Sequence, residues 1–316
     1  MRNKRIVIAG GAGFIGKGLV EEWGVNNFIV ILTRSQPAPP AHGNVTYLHW
    51  DGATQGAWTQ ALEGADLLLN LCGKSVNCRY TPANKNEIFD SRTRSTEALG
   101  EAVRLCKKAP ALWVNAGSAT IYRHAEDRPM DEYTGEFHSD FSVQVCQRWE
   151  SVFNSQDTPQ TRKIILRMAI VIGAQGGVME PYLNLLKFGL GGHQGSGKQK
   201  FSWVHITDVA GMLEFLIEHG ECNGVYNCSS PQPTDNRGFT ATLRKVYGHN
   251  FGLPAPAWML HIGAALIGTE TELLLKSRWV LPVRVLKAGY AFRYPVLEGA
   301  LLQVKGVLPR KRYHLF

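Results

Sequence analysis

Two apolar rhythms alternate along the chain. Largely apolar runs at 6–9, 28–32, 65–71, 111–116 and 163–172 predict buried strands, because parallel strands covered by helices have no solvent face to keep polar. Between them the spacing becomes helical. Ile15, Leu19, Val20 and Trp23 share one helix face, Thr81-Pro82 is a start signal for a helix over 81–108, and a further helix is expected over 141–153. A shorter strand is predicted at 45–49, after a Pro-rich loop at 36–43, and a loop rich in Asp, Glu, Pro and Gly fills 126–140. Strand and helix therefore alternate to about residue 172, the signature of an α/β fold with a doubly wound parallel sheet. Past that point the pattern loosens into a strand at 201–205, a helix from Thr207-Asp208 to about 219, one more strand at 224–228, and helices and loops to the end.

The first strand, helix and second strand enclose Gly10-Gly11-Ala12-Gly13-Phe14-Ile15-Gly16. Each glycine has its own reason: Gly10 for the tight turn off the strand, Gly13 for close approach of the backbone to a pyrophosphate, Gly16 for packing helix on sheet. The amides opening the helix then face the anion. The spacing G-x-x-G-x-x-G in a complete βαβ unit predicts a Rossmann-type dinucleotide site. At the end of the second strand an acid would accept hydrogen bonds from the ribose hydroxyls of NAD. Here Thr33-Arg34-Ser35 offers none, and Arg34 suits a 2′-phosphate while its guanidinium plane stacks on adenine, so NADP(H) is the expected cofactor. The alternative is a solvated strand-end charge. Asp51, after the third strand, is placed either to bond an adenine amino group or to cap the next turn.

Composition narrows the classes. With 316 residues, 44% hydrophobic and 19% charged, the chain has the make-up of a soluble globular protein with one large α/β unit and a smaller appendage. The division expected is a dinucleotide-binding domain over 1–172, its sheet completed by about 200–228, and a smaller substrate-side domain over 173–199 and 229–316. The net charge of +8 lies partly in the last dozen residues and lacks any aromatic-basic interleaving, so no nucleic-acid partner is expected. Six cysteines without C-x-x-C or metal-ligand spacing point to reduced thiols, no metal and a cytoplasmic location. The longest apolar run, 257–268, is too short to span a bilayer, and Met1-Arg2-Asn3-Lys4 leaves no room for a signal peptide before the first strand, so no membrane partner is expected. The glycine-rich stretch 192–199 approaches a phosphate loop but ends in Gln199, without the Mg²⁺-binding hydroxyl or a preceding strand.

Taken together, Gly10, Gly13 and Gly16, Ser118-Ala-Thr-Ile-Tyr122, Arg167 followed by Val171-Ile172-Gly173, Trp203-Val-His-Ile-Thr-Asp208 and Val225-Tyr-Asn227 resemble the extended short-chain dehydrogenase/reductase superfamily. Asn70-Leu-Cys-Gly73, Glu87-Ile-Phe-Asp-Ser91-Arg92, Cys146-Gln-Arg-Trp149-Glu150 and the run from Ala288 to Pro295 narrow the likeness to its epimerase-like family with a C-terminal domain of unknown function. The resemblance implies that Phe14 and Ile15 line the turn and that Arg34 and Ser35 take the 2′-phosphate. Leu71, Cys72 and Gly73 line the ribose, Glu87 and Arg92 reach the nicotinamide half, and Val171 walls it. Glu87 and Arg92 could instead form a solvated pair, and Leu71 and Val171 could be plain core. Superfamily members often dimerise through two helices, here near 83–107 and 140–153, so a homodimer is open to this chain.

The same likeness implies a departure. Counting back from Glu150, the positions of the superfamily's Tyr-x-x-x-Lys acid/base pair fall on Ser142 and Cys146. The catalytic candidates are then Ser118, which would hydrogen-bond a substrate oxygen, and Tyr122 as a substitute acid; Cys146 is a thiol acid or inert core. The function expected is an NADP(H)-dependent oxidoreductase or epimerase-like enzyme on an unidentified small molecule, with a non-catalytic NADP(H)-binding module as the rival. A hydrolase triad of Ser118, His205 and Asp208 is set aside, because His205 and Asp208 belong to the superfamily's strand-to-helix junction.

Overall fold

In the computed structural model, which describes residues 1–35, 43–174, 176–268 and 270–315, the apolar runs become one seven-stranded parallel sheet. Its strands are β1 (Arg5–Ala9), β2 (Phe28–Thr33), β3 (Val45–His49), β4 (Leu67–Asn70), β5 (Leu112–Ser118), β6 (Arg162–Met168) and, at the far edge, a strand at Gly224–Cys228. They lie in the order β3-β2-β1-β4-β5-β6 followed by the 224–228 strand. The order reverses between β1 and β4, where Ile6 pairs with Ile29 on one side and Leu67 on the other. Helix α1 (Phe14–Trp23) packs one face. Helices α2 (Pro82–Leu105) and α3 (Phe141–Asn154) pack the other and lie against each other. Thr81 caps α2 by accepting the Asn84 amide, as its Thr-Pro start foretold. The loop predicted at 36–43 lies, except for Gly43, outside the described residues.

The run 163–172 is two strands. β6 ends at Met168, Ala169 donates its amide to Cys228 O, and β7 (Ile170–Ile172) swings out to pair with β9 (Trp203–His205). The run 201–205 divides similarly at Ser202 into β8 (Lys200–Phe201) and β9. The Ser202 hydroxyl donates to Arg278 O at 2.8 Å and accepts the Val280 amide at 2.8 Å. A continuous apolar pattern cannot register such a change of partner. Around these short strands gather α4 (Met179–Lys187), α5 (Ile206–Glu218), the 224–228 strand as β10, β11 (Thr234–Asp235) and α6 (Asn236–Tyr247). Tyr182, Trp203, Phe239, Tyr247 and Leu301 form the second core.

Three polar devices fasten the surrounding elements to one another, two of them holding C-terminal residues. Asp208, in the first turn of α5, accepts the amides of Arg293 (2.6 Å) and Tyr294 (2.9 Å). Arg167 on β6 grips Glu150 on α3 through two hydrogen bonds of 2.8 and 2.7 Å. The extended segment 276–281 is stitched between the loop at Met130 and β8: Met130 N donates to Trp279 O at 2.7 Å, Leu281 N to Met130 O, and Arg278 N to Lys200 O.

His205, at the start of α5, is fully buried. Its Nδ1 accepts the Thr207 amide at 3.2 Å and its Nε2 faces Gln303 Oε1 at 3.0 Å, which assigns the proton to Nε2. Burial holds its pKa down to about 4, against an ordinary 6.5. The unfolded chain therefore binds an extra proton between pH 6.5 and about 4, so this residue costs roughly 3 kcal/mol as the pH falls through that window. The stability difference between wild type and His205→Gln, followed by urea unfolding, is expected to change with pH across this interval and to level off above it; a pH-independent difference would contradict the assignment.

Candidate functional site

The turn from β1 into α1 is built as the glycines require. Gly10 has φ +75°, and a Cβ there would come within 3.0 Å of Cys72 N; at Gly16 it would lie 2.1 Å from Gly11 O. Gly13 differs. The nearest atom to an added Cβ is Gly10 O at 3.6 Å, so the chain itself does not forbid a side chain, and its absence leaves the floor of a cleft open. Gly13 is also the N-cap of α1, with no side-chain cap and no acid in the first turn, so the opening amides keep their unpaired donors.

These residues, with Phe14 and Ile15, form one side of a cleft of about 500 Å³. Leu71, Cys72 and Gly73 follow β4, and Val171 comes from β7; all four line it. Leu71 and Val171 also pack on the main core, so the two roles open to them coincide. Burial pushes the Cys72 thiol up to about 12, opposed by Ser95 and by the charge of Arg34. Arg34 and Ser35 are exposed at the end of β2, outside the enclosed part of the cleft. Arg34 makes no hydrogen bond or ion pair among the described residues, and Ser35 donates its amide to Thr33 Oγ1 at 3.4 Å.

Asp51 takes the capping role of its two alternatives. Its carboxylate accepts the Ala53 and Thr54 amides at 2.8 Å each and the Thr54 hydroxyl at 2.7 Å, which pulls its pKa to about 2. Glu87 is corrected more firmly. It pairs with Lys74 at the surface and does not line the cleft, whereas Arg92 does. Five helical residues amount to a rotation of roughly 140° beyond a full turn, so the two cannot share a face. Arg92 donates to Ile88 O at 2.9 Å and lies 5.2 Å over the Trp149 ring.

Ser118 ends β5 at the boundary between this cleft and a second cavity of about 190 Å³, both of which it lines together with Met168, Ala169, Ile170 and Val178. Tyr122 is the main correction. A single 3-10 turn after Ser118 carries it inward to 1% exposure, and it lines neither cavity. Its hydroxyl donates to Asn227 Oδ1 at 3.0 Å and accepts from Arg167 Nη1 at 2.9 Å, and burial raises its pKa. It is part of the buried Arg167–Glu150 network, not a proton donor facing the cavities. His205 and Asp208 are engaged at the C-terminal contacts described above, which leaves Ser118 without a triad.

The second cavity contains residues that the sequence reading passed over. Lys276 Nζ lies 2.8 Å from Asp140, 3.3 Å from Glu272 and 3.3 Å from Ser142 Oγ, which itself donates to Glu272 at 2.5 Å. Arg278 donates from Nε to Thr120 Oγ1 at 3.2 Å, and burial lowers its pKa. Two cations inside the apolar sequence Leu273-Leu-Leu-Lys-Ser-Arg-Trp-Val280 were the available signal, since buried charges must find partners. Cys146, on α3, is buried and its thiol is pushed up to about 12 by that burial, despite nearby Arg92, Arg278 and Lys276.

A doubly wound parallel sheet with a glycine cradle at its switch point is the architecture of extended short-chain dehydrogenase/reductases. The NAD dependent epimerase/dehydratase family model matches residues 6–229, and the chain belongs to that family; a domain of unknown function, DUF1731, matches residues 255–304. The human epimerase family protein SDR39U1 is 29% identical over 304 residues, 95% of this chain and 99% of that protein. Epimerase family protein SSP1921 of Staphylococcus saprophyticus is 32% identical, covering 94% and 98% respectively. A crystal structure of human SDR39U1 (isoform 2) with NADPH superposes with a TM-score of 0.85 at 28% identity, over 98% of this chain and all of that one. The UDP-N-acetylglucosamine 4-epimerase of Methanobrevibacter ruminantium shares the fold, with a TM-score of 0.75 at 16% identity over 96% and 98% of the two chains.

The buried Cys146 thiol offers a check on this geometry. With its pKa pushed up to about 12, Cys146 carries very little thiolate at pH 8. In the native protein iodoacetamide is expected to alkylate Cys146 at least about 100-fold more slowly than after unfolding, read by peptide mass spectrometry; rapid native alkylation would contradict its placement.

Proposed function

We propose that the protein is an NADP(H)-dependent oxidoreductase whose coenzyme lies in the 500 Å³ cleft and whose small-molecule substrate lies in the adjoining 190 Å³ cavity. The observation that carries this reading is the shared boundary: Ser118 and the 168–170 segment belong to both spaces, so a group in one meets a group in the other. The residues present suit the coenzyme. The bare Gly13 floor and the uncapped α1 amides match a diphosphate, and the Arg34 guanidinium, unpaired among the described residues, matches a 2′-phosphate. The NADPH in the human SDR39U1 crystal structure supports the same choice.

When bound, a reduced nicotinamide supplies hydride. The chain's own part is positional: Ser118 presents a hydroxyl to the substrate oxygen, and Arg92 with Trp149 closes the nicotinamide end. On this reading Ser142 and Cys146 stand where the superfamily carries its Tyr and Lys, so neither side chain is a strong acid/base pair. Loss of such a pair costs typically 10²- to 10⁴-fold in rate, so slow turnover is expected. The polar lining of the second cavity argues for a substrate there, and so against a purely non-catalytic module.

Fluorescence titration tests the coenzyme half. NADPH is expected to bind, and Arg34→Ala to lose roughly 10- to 100-fold in NADPH affinity while leaving NADH affinity nearly unchanged, the scale of a charge-assisted contact. Failure of both coenzymes to bind, or an unaltered preference in Arg34→Ala, overturns the reading. Once a reduced substrate has been found in a carbonyl and enone panel, Ser118→Ala is expected to lower kcat at least about tenfold with NADPH affinity held.

A further inference from the structure

We propose that the 190 Å³ cavity takes a compact anionic substrate, one whose carboxylate or phosphate group is bound by Arg278 with Lys276 beside it. The inference rests on the reading of this cavity as the substrate site and goes beyond it by naming the chemistry that the site selects.

The lining carries three cations, Lys200, Lys276 and Arg278, and no carboxylate. The acids nearby are set behind it: Asp140 and Glu272 both hold Lys276, and Glu272 also accepts from Ser142. Arg278 is left with little. Its side chain is 13% exposed and its nearest carboxylate, Glu272, is 3.8 Å away and already engaged. Nε is fixed on Thr120 Oγ1, and neither terminal nitrogen makes a hydrogen bond among the described residues. A guanidinium has five N–H donors in a planar fork, so Arg278 presents a rigid, desolvated and largely unused fork to the cavity, the geometry that recognises a carboxylate or phosphate through two parallel hydrogen bonds. The third cation, Lys200, is held with its ammonium 4.5 Å over the Trp279 ring, adding positive potential without a competing carboxylate.

Size sets the other limit. At about 190 Å³ the cavity falls below the roughly 300–1,000 Å³ of pockets that hold drug-sized ligands. Met168, Ile170, Val178, Phe201 and Leu274 make the rest of the wall apolar, which suits a short hydrocarbon body. A small acid seated with its anion on Arg278 fits these dimensions; a nucleoside diphosphate sugar does not.

Calorimetric titration of the whole chain, with and without NADP⁺, tests this with pyruvate, inorganic phosphate, neutral acetone and UDP-glucose as probes. Pyruvate or phosphate is expected to bind in the millimolar range or tighter, the two arms telling carboxylate from phosphate, with affinity falling as ionic strength rises. Acetone and UDP-glucose are expected to bind at least about tenfold more weakly. Arg278→Met should weaken the preferred anion at least about tenfold with NADPH affinity within about twofold of wild type. Should Arg278→Met fail to fold, Thr120→Val, which frees the guanidinium without removing its charge, should weaken the anion severalfold and Arg278→Lys should retain part of the binding. The proposal is overturned if neither small anion binds, if UDP-glucose binds in preference to both, or if the folded variants bind the anion as wild type does. Coenzyme binding is read separately, so its failure would count against the oxidoreductase reading and not against the anion site.

Discussion

Parallel strands end on one edge, and that constraint places everything of functional interest. The ladder sets Ala9 opposite Asn70, Asn70 opposite Asn115, and Ser118 opposite Met168. Ala9, Asn70, Ser118 and Met168 each close a strand whose interior is largely buried, so the edge inherits the rigidity of the core. Even its polar groups are internally satisfied: Asn70 donates from Nδ2 to Asn115 Oδ1 at 2.7 Å, and its Oδ1 accepts the Cys72 amide at 3.0 Å. The chain emerging from each strand is therefore aimed before any loop begins. The cradle at 10–16, the wall at 71–73 and the boundary at Ser118 are consequences of register.

A second element reaches the same edge from far away in sequence. The segment 276–281 is extended but belongs to neither the seven-stranded sheet nor a helix, and its backbone bonds to the loop at Met130 and to β8. Ser277 accepts the Lys200 amide on its hydroxyl and donates that hydroxyl to Ala125 O at 2.6 Å. Val280 and Met130 complete the stitching on either side. Because these bonds use main-chain groups at nearly every position, the segment has little freedom to shift. The alternate side chains of Lys276 and Arg278 are thereby held at the cavity, two residues apart on an extended backbone.

How much of this was legible in the residues divides along a physical line. The glycine cradle, the helices and the strands of the main sheet are local patterns with short-range causes, and they could be read. Arg92 was placed by the resemblance and does line the cleft, whereas Glu87, grouped with it by the same resemblance, is turned away by the helical rotation between them. Tyr122 was misjudged because the 3-10 turn at 119–121 reverses the direction of its side chain, and only Arg167 and Asn227, 45 and 105 residues away, show where it goes. Lys276 and Arg278 were missed for an allied reason. Their partners Ser142 and Thr120 lie 134 and 158 residues upstream, and no periodicity connects them.

The cations around Cys146 clarify what kind of site this is. Arg92 from α2 and Lys276 and Arg278 from the C-terminal segment all act on the thiol of Cys146 on α3. These cations favour a thiolate, but burial and, after it, the Glu150 carboxylate outweigh them, and the thiol stays protonated. A charged group here cannot be stabilised by field alone; it must also replace its lost water with hydrogen bonds. Among the described residues no group donates to Cys146, whereas a ligand reaching the N–H groups that Arg278 leaves unused there would find donors. The same low-dielectric setting that keeps the cysteine inert would strengthen the attraction for a correctly placed oxyanion, and it would discriminate against an anion held a few ångströms out of place.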